Sequence, residues 1–272
     1  MGVVSLEWPS DGVALVTMTN PAINNHGSFA GIHELWQTLI KAREGGARVT
    51  VLASGVPGHW FEHAWLRDLS NRFQRKEVTG PSSGWFGCLD ELSKTSVVSI
   101  AAISGDTSGG GCEIGWACDL RVAEEQVYFS QPEVRIGVGT GIGGTSRLVR
   151  LIGRTVAAEM VLDGAPVKAR RIYDLGGINR VVPTGTALEA SLAWAKRLAG
   201  HPPDALAGMK RMLAQSEEHP LTEAIMNDQK IFQEFSGQPP AIAKMEEVQA
   251  KFDAGAEIRE TYWPDGVEPD VR

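Results

Sequence analysis

The sequence predicts an α/β fold with a mostly parallel sheet, followed by a region made of helices only. Short apolar runs alternate with amphipathic segments over the first two thirds of the 272 residues. One β-branched run ends in a glycine-rich turn that opens a helix, and after about Pro183 the strand pattern stops. Strands alternating with helices at this interval imply βαβ units joined by right-handed crossovers. Ligands then bind beyond the carboxyl ends of the strands.

In chain order, Val13–Thr19 reads as a strand stopped by Asn20-Pro21. Ser28 to Glu44 carries apolar residues at Ile32, Leu35, Trp36, Leu39 and Ile40, the period of an amphipathic helix capped by Ser28. Val49–Ala53 is the next strand, and Asn71 to Trp85, with Gly80-Pro81-Ser82-Ser83-Gly84, reads as a loop over the site. Val97–Ile103 is a later strand, and Ile114–Cys118 a buried helix. Gly137, Gly139, Gly141, Gly143 and Gly144 lack the lysine of a phosphate-binding loop and predict a tight turn before a helix from Gly144 to Leu151. Four helices follow, at Thr186–Ala199, Pro203–Ala214, Leu221–Phe235 and Pro240–Phe252. The expected division is a core over 1–185, a helical region over 186–262 and a disordered tail over 263–272.

Composition excludes several classes of function. With 43% hydrophobic and 22% charged residues the chain is an ordinary globular protein. Its net charge of -7, without a long Lys/Arg block, argues against nucleic acid as a partner. No apolar run approaches the ~18 residues of a membrane span, and the N-terminus lacks the pattern of a secretory signal, so a cytoplasmic location is expected. Cys88, Cys112 and Cys118 have neither disulfide nor zinc-ligand spacing and read as buried thiols; no metal site is expected.

The chemistry concentrates at Ser108-Gly109-Gly110-Gly111-Cys112-Glu113. A strand that ends in three glycines and opens a helix presents bare N–H groups at a positive helix end, the geometry of an oxyanion hole. Glu113 is expected in the first turn of that helix, as a base beside those amides. No Ser-His-Asp order is recognisable, which argues against Ser108 as an acyl nucleophile. By itself, Glu113 also reads as a residue favoured by the helix dipole, and Glu133 as an exposed turn residue.

These residues, followed by Cys118-Asp119-Leu120-Arg121-Val122-Ala123, Phe129-Ser130-Gln131-Pro132-Glu133-Val134, Gly143-Gly144 and Arg147-Leu148, resemble the enoyl-CoA hydratase/isomerase (crotonase) superfamily from about Val13 to Val182. The resemblance implies a crotonase-like spiral of ββα units, with a C-terminal helical region for assembly as a homotrimer or dimer of trimers and for closing an acyl-CoA site. It implies an acyl-CoA thioester substrate and no cofactor, CoA being part of the substrate. The thioester oxygen would lie between the amides of Ala64 and Gly110, flanked by Gly109 and Gly111. Glu113 would activate water and Glu133 would exchange the proton at Cα. Retention of both glutamates favours a hydratase over an isomerase, and argues against a catalytically weak acyl-CoA binding protein.

The sequence departs from the family in places. The stretch Trp60-Phe61-Glu62-His63-Ala64-Trp65-Leu66 matches a motif Phe-Ser-Ala-Gly-Ala-Asp-Leu, so His63 replaces Gly and Trp65 replaces Asp. His63 then occupies a position where positive φ is expected, and is a candidate substrate contact together with Leu66. Trp65 either lines an acyl or pantetheine pocket or fills the core. The usual basic residue before Pro21 is missing and the C-terminal basic segment is only loosely matched by Lys244 and Lys251, which leaves CoA and an acyl-carrier protein both open as carriers.

Overall fold

The structure, a computed structural model, describes residues 2–263. Met1 and residues 264–272, which include most of the expected tail, lie outside the described residues. The chain forms two compact units, residues 1–200 and 201–272.

The first unit begins with β1 (Val4–Ser10), β2 (Val13–Met18), β3 (His26–Gly27), α1 (Phe29–Glu44), β4 (Val49–Ser54), β5 (Glu62–Ala64), α2 (Leu66–Phe73) and α3 (Gly84–Ser93). It continues with β6 (Val98–Ile103), β7 (Thr107–Ser108), α4 (Gly109–Ala117), β8 (Leu120–Glu124), β9 (Tyr128–Ser130) and, after a 3-10 turn at Pro132–Ile136, α5 (Gly144–Asp163). β10 (Val167–Lys168), α6 (Ala169–Asp174), β11 (Arg180–Val182) and α7 (Ala187–Ala199) complete it. The principal sheet has the order β1-β2-β4-β6-β8-β11, and smaller sheets join β10-β9-β7 and β3-β5. Every pairing in the principal sheet is parallel except β1 with β2, as the alternating pattern predicts.

The core lies on both faces of that sheet. The central strands β4 and β6 are buried almost throughout, as expected of parallel strands covered on both sides. α1 buries Phe29, Ile32, Leu35, Leu39 and Ala42, and Leu35 is wholly excluded from water. Burying one such side chain is worth about 1.5–3 kcal/mol. α7 packs against β4, β6 and β8. That packing puts the boundary between units at Gly200, later than the 185/186 division expected from the loss of strand pattern.

Other boundaries also move. The segment read as a loop from Asn71 to Trp85 is irregular over residues 74–83, and helix enters only at its ends, since α2 runs to Phe73 and α3 starts at Gly84. α5 is longer than expected, and Gly153 interrupts it with φ 77° and ψ 157°, a conformation glycine adopts without a Cβ clash. The second unit holds α8 (Pro203–Ser216), α9 (Leu221–Ser236), α10 (Pro239–Asp253) and α11 (Ile258–Tyr262). α8 meets α9 where Gly208 leaves room for the Phe235 ring, and Gln215 Nε2 donates to Asp228 Oδ1 at 2.7 Å.

Two caps hold the start of α1. Ser28 Oγ accepts from Gly31 N at 3.1 Å, and Asp68 Oδ2, from α2, accepts from Phe29 N at 2.9 Å. Each satisfies an N–H that the helix itself leaves without a partner. Replacing Ser28 by Ala is expected to cost about 1 kcal/mol, measured as a lower urea midpoint at unchanged slope.

Candidate active site

The chain ends of β4 and β6 lead into the two segments that form the site. After β4, Asn25 anchors the turn: its buried Nδ2 donates to Met18 O at 3.0 Å and to Ser54 Oγ at 2.7 Å, and its Oδ1 accepts from Asn20 N at 2.6 Å. Glu62 N then donates to Asn25 O and Trp65 N to Gly27 O, three residues apart on the donor side but two apart on the acceptor side. The mismatch is a β-bulge. Ala64 lies between those two donors, at the irregularity.

After β6, Ser108 caps α4 in extended conformation without a side-chain bond to the helix. The amides of the first turn, Gly110 among them, therefore lack intrahelical partners. Gly109 has φ +47°, and a Cβ there would stand 2.7 Å from the His63 Cβ and 3.3 Å from Glu133 Oε1. A Cβ on Gly111 would overlap the Phe61 carbonyl. The glycines thus let the helix end meet the backbone of β5.

A cavity of about 720 Å³ opens at this junction. Its wall includes His63, Ala64, Leu66, Gly110, Glu113 and Glu133, so six of the nine expected site residues converge there. Gly109 and Gly111 stand behind the wall as close-packed backbone. Trp65 is not in the wall: it caps α2, half-buried, with its ring edge-on to His26 at 5.7 Å. His63 is in a strand and is not among the residues with positive φ, so the expected strain is absent. Its Nδ1 lies 2.8 Å from Ala64 O.

The two glutamates have opposite surroundings. Glu113 is the fifth residue of α4, not in its first turn, because the helix begins at Gly109. Its Oε1 accepts from Ile142 N at 2.9 Å and Gly144 N at 2.6 Å, which leaves Oε2 without a hydrogen bond. Glu133, in the 3-10 turn, has a buried Oε2 with no partner at all. Burial, with a smaller contribution from the Glu113 charge, pushes its pKa from 4.5 up to about 7.

Three residues of the site escape sequence reasoning. Trp85 lines the cavity, and its ring packs on Gly27 and within 2.8 Å of a Cβ built on Gly110. Its signal was the apolar run Gly84-Trp85-Phe86, next to the glycine and proline that read as loop. Asn25 and Glu62, both buried, had no periodic signal. The remaining wall is mainly apolar, from Leu69, Phe73, Phe86, Ile136 and Val138. Among the described residues no group of three His, Cys, Asp or Glu is placed to hold a metal, and no helix is long and apolar enough to cross a membrane.

The family model for enoyl-CoA hydratase/isomerase matches residues 9–254. The chain belongs to this family. It is 30% identical over 220 residues to the 2,3-dehydroadipyl-CoA hydratase of Escherichia coli, covering 81% of this chain and 85% of that protein. A probable mitochondrial enoyl-CoA hydratase of Dictyostelium discoideum is 35% identical over 223 residues, covering 81% and 78%. The chain is also 33% identical to a glyoxysomal fatty acid β-oxidation multifunctional protein of Brassica napus, but spans only 27% of its length. Among solved structures, an enoyl-CoA hydratase of Mycobacterium tuberculosis superposes with a TM-score of 0.79 at 27% identity, covering 94% of this chain and 97% of the other. The crotonase fold expected from the sequence is the fold observed.

In this crotonase-family site the raised pKa of Glu133 has a thermodynamic consequence. A carboxyl whose folded pKa lies above its unfolded value stabilises the fold below the unfolded pKa and loses that contribution as pH rises through the folded one. The window here is pH 4.5 to about 7. Discounted for partial exposure, Glu133→Gln is expected to gain about 1 kcal/mol over the native protein between pH 5 and pH 8. Urea unfolding at the two pH values checks it.

Proposed function

We propose that this chain is a 2-enoyl-CoA hydratase, a hydro-lyase that adds water across the 2,3 double bond of an acyl-CoA thioester. The observation that carries this reading is the pair Glu113 and Glu133 in one cavity, one carboxyl oriented by two amides and the other desolvated. The family and the hydratase relatives support it.

In this reading the thioester oxygen accepts from the amides of Ala64 and Gly110. Glu113 Oε2, the oxygen not bound to amides, takes a proton from water as the water oxygen bonds to Cβ. The pair of electrons released from the double bond passes to the thioester as an enolate, which the two amides stabilise. Protonated Glu133 then delivers its proton to Cα, and transfer from Glu113 back to Glu133 restores both groups. The reaction needs no cofactor beyond the CoA that the substrate carries. His63 and Leu66 flank the reacting end of the acyl group, and the apolar wall takes its chain.

An isomerase is the second reading, because a single base with a pKa of about 7 suffices to move a proton between Cα and Cγ. The two amides holding Glu113 favour hydration, since isomerisation has no use for a second oriented carboxylate. Assembly as a homotrimer or dimer of trimers belongs to the same proposal. Leu213, Leu221, Ile225 and Met226, exposed on α8 and α9, supply apolar surface for it. We place the activity in the cytoplasm.

Loss of the conjugated enoyl-thioester absorbance tests the reaction. Native protein is expected to bleach crotonyl-CoA, and Glu113→Gln and Glu133→Gln each to lower kcat by about 10²-fold or more. Binding without bleaching would leave the isomerase or a binding role. Because Glu133 must be protonated to donate, kcat/KM for hydration is expected to fall as pH rises past about 7, a limb that should be missing in Glu133→Gln.

A further inference from the structure

Behind the cavity wall runs a chain of polar groups that the reaction above does not use. His59 Nδ1 lies 2.9 Å from Glu62 Oε1, Ser108 Oγ donates to Glu62 Oε2 at 2.5 Å, and His63 N donates to Ser108 Oγ at 3.1 Å. Glu62 and Ser108 are each only 9% exposed, and neither lines the cavity. A second stitch runs beside the first, from Thr107 Oγ1 to Phe61 O at 2.6 Å. Both cross between the same two segments, residues 61–63 at the start of β5 and residues 107–108 at the β7–α4 junction.

We propose that Ser108, held by Glu62, is a positioning residue that sets the distance between the amides of Ala64 and Gly110. This rests on the reading of those amides as the oxyanion donors. His63 N and Ala64 N are consecutive amides of β5, and Ser108 stands two residues before Gly110, so the single Ser108 hydroxyl ties the two donors at their roots. A hydroxyl donates one bond while accepting another. Its proton goes to a carboxylate, which makes a short bond about twice as strong as a neutral one. Polarisation along the chain then strengthens the bond that the hydroxyl oxygen accepts from His63 N. His59 supplies the outer end and fixes the Glu62 carboxylate in the rotamer that reaches Ser108.

The requirement for a brace follows from the helix start. Gly109 has φ +47° and no Cβ, so the backbone between Ser108 and Gly110 has no steric restraint of its own. On the other side Ala64 lies at a bulge, where the ladder to β3 skips a residue. Both donors sit on locally irregular backbone. The hydroxyl couples one irregularity to the other.

The test uses butyryl-CoA labelled with carbon-13 at the thioester carbonyl, a saturated ligand that cannot be hydrated, alongside turnover of crotonyl-CoA. Native protein is expected to lower the infrared stretching frequency of the bound carbonyl, the signature of polarisation by two donors. Ser108→Ala is expected to lose at least half of that shift and to reduce kcat about tenfold or more, while the Kd for butyryl-CoA stays within about threefold. Glu62→Gln should fall between the two, and Ser108→Thr, which keeps the hydroxyl, should restore most of the shift. If Ser108→Ala keeps both the native shift and kcat, or loses Kd and kcat in equal measure, the positioning role is overturned while the hydratase reading stands. If native protein hydrates crotonyl-CoA but leaves the labelled carbonyl unshifted, the donor assignment fails and the positioning role with it. If native protein neither hydrates crotonyl-CoA nor shifts the carbonyl, the functional reading itself is wrong.

Discussion

The contact on which the site depends is backbone against backbone. α4 approaches β5 so closely at Gly111 that a single Cβ would overlap the Phe61 carbonyl. At Gly111 itself van der Waals contact sets the closest approach, a stiff restraint in a packed interior, while the Thr107 and Ser108 hydroxyls hold the two segments together beside it. Around that approach His63 stands against Gly109, and the Trp85 ring packs on Gly27 and against Gly110. Three glycines in a row serve one geometric purpose, which is to let a helix begin where a strand already lies.

The same junction lets two chemically identical side chains become unlike. Glu113 reaches across to the turn before α5 and is solvated by amides of the chain, whereas Glu133 turns into apolar wall and has one oxygen that meets nothing. The two carboxyls thus differ by environment rather than by residue type. The turn from Gly137 to Gly144 gains its meaning here. The turn delivers the Ile142 and Gly144 amides to Glu113, and a Cβ at Gly144 would stand 2.8 Å from the Glu113 Cγ.

Much of this was legible in the chain. Periodicity located α1 and its Ser28 cap, and the strand-to-glycine transition located α4, because both are local patterns. The order of Glu113 and Glu133 around the glycines identified the carboxyl pair. What was not legible depended on contacts between distant segments. α4 begins about one turn earlier than its apolar pattern predicts, because three glycines read as loop until a strand packs against them. Trp65, which its motif leaves open between pocket and core, caps a helix outside the cavity wall, and Trp85, at the end of the segment read as a loop over the site, lines the cavity. Glu62 stands where the motif has a small residue, and only the fold brings Ser108 and His59 to its two oxygens. Its burial had no counterpart in any local pattern.

Cys88, Cys112 and Cys118 are all buried. Desolvation raises the Cys88 and Cys112 thiols far above the ordinary range, so almost no thiolate forms at neutral pH. Thiol reagents can then react only when the surrounding structure opens. Cys112 directly precedes Glu113 on the glycine-rich helix, and its Sγ donates to Thr107 O at 3.2 Å. The chain therefore carries its own probe of local opening: the labelling rate of Cys112, relative to Cys88 under α1, reports how often the helix end lifts away from the strand beneath it.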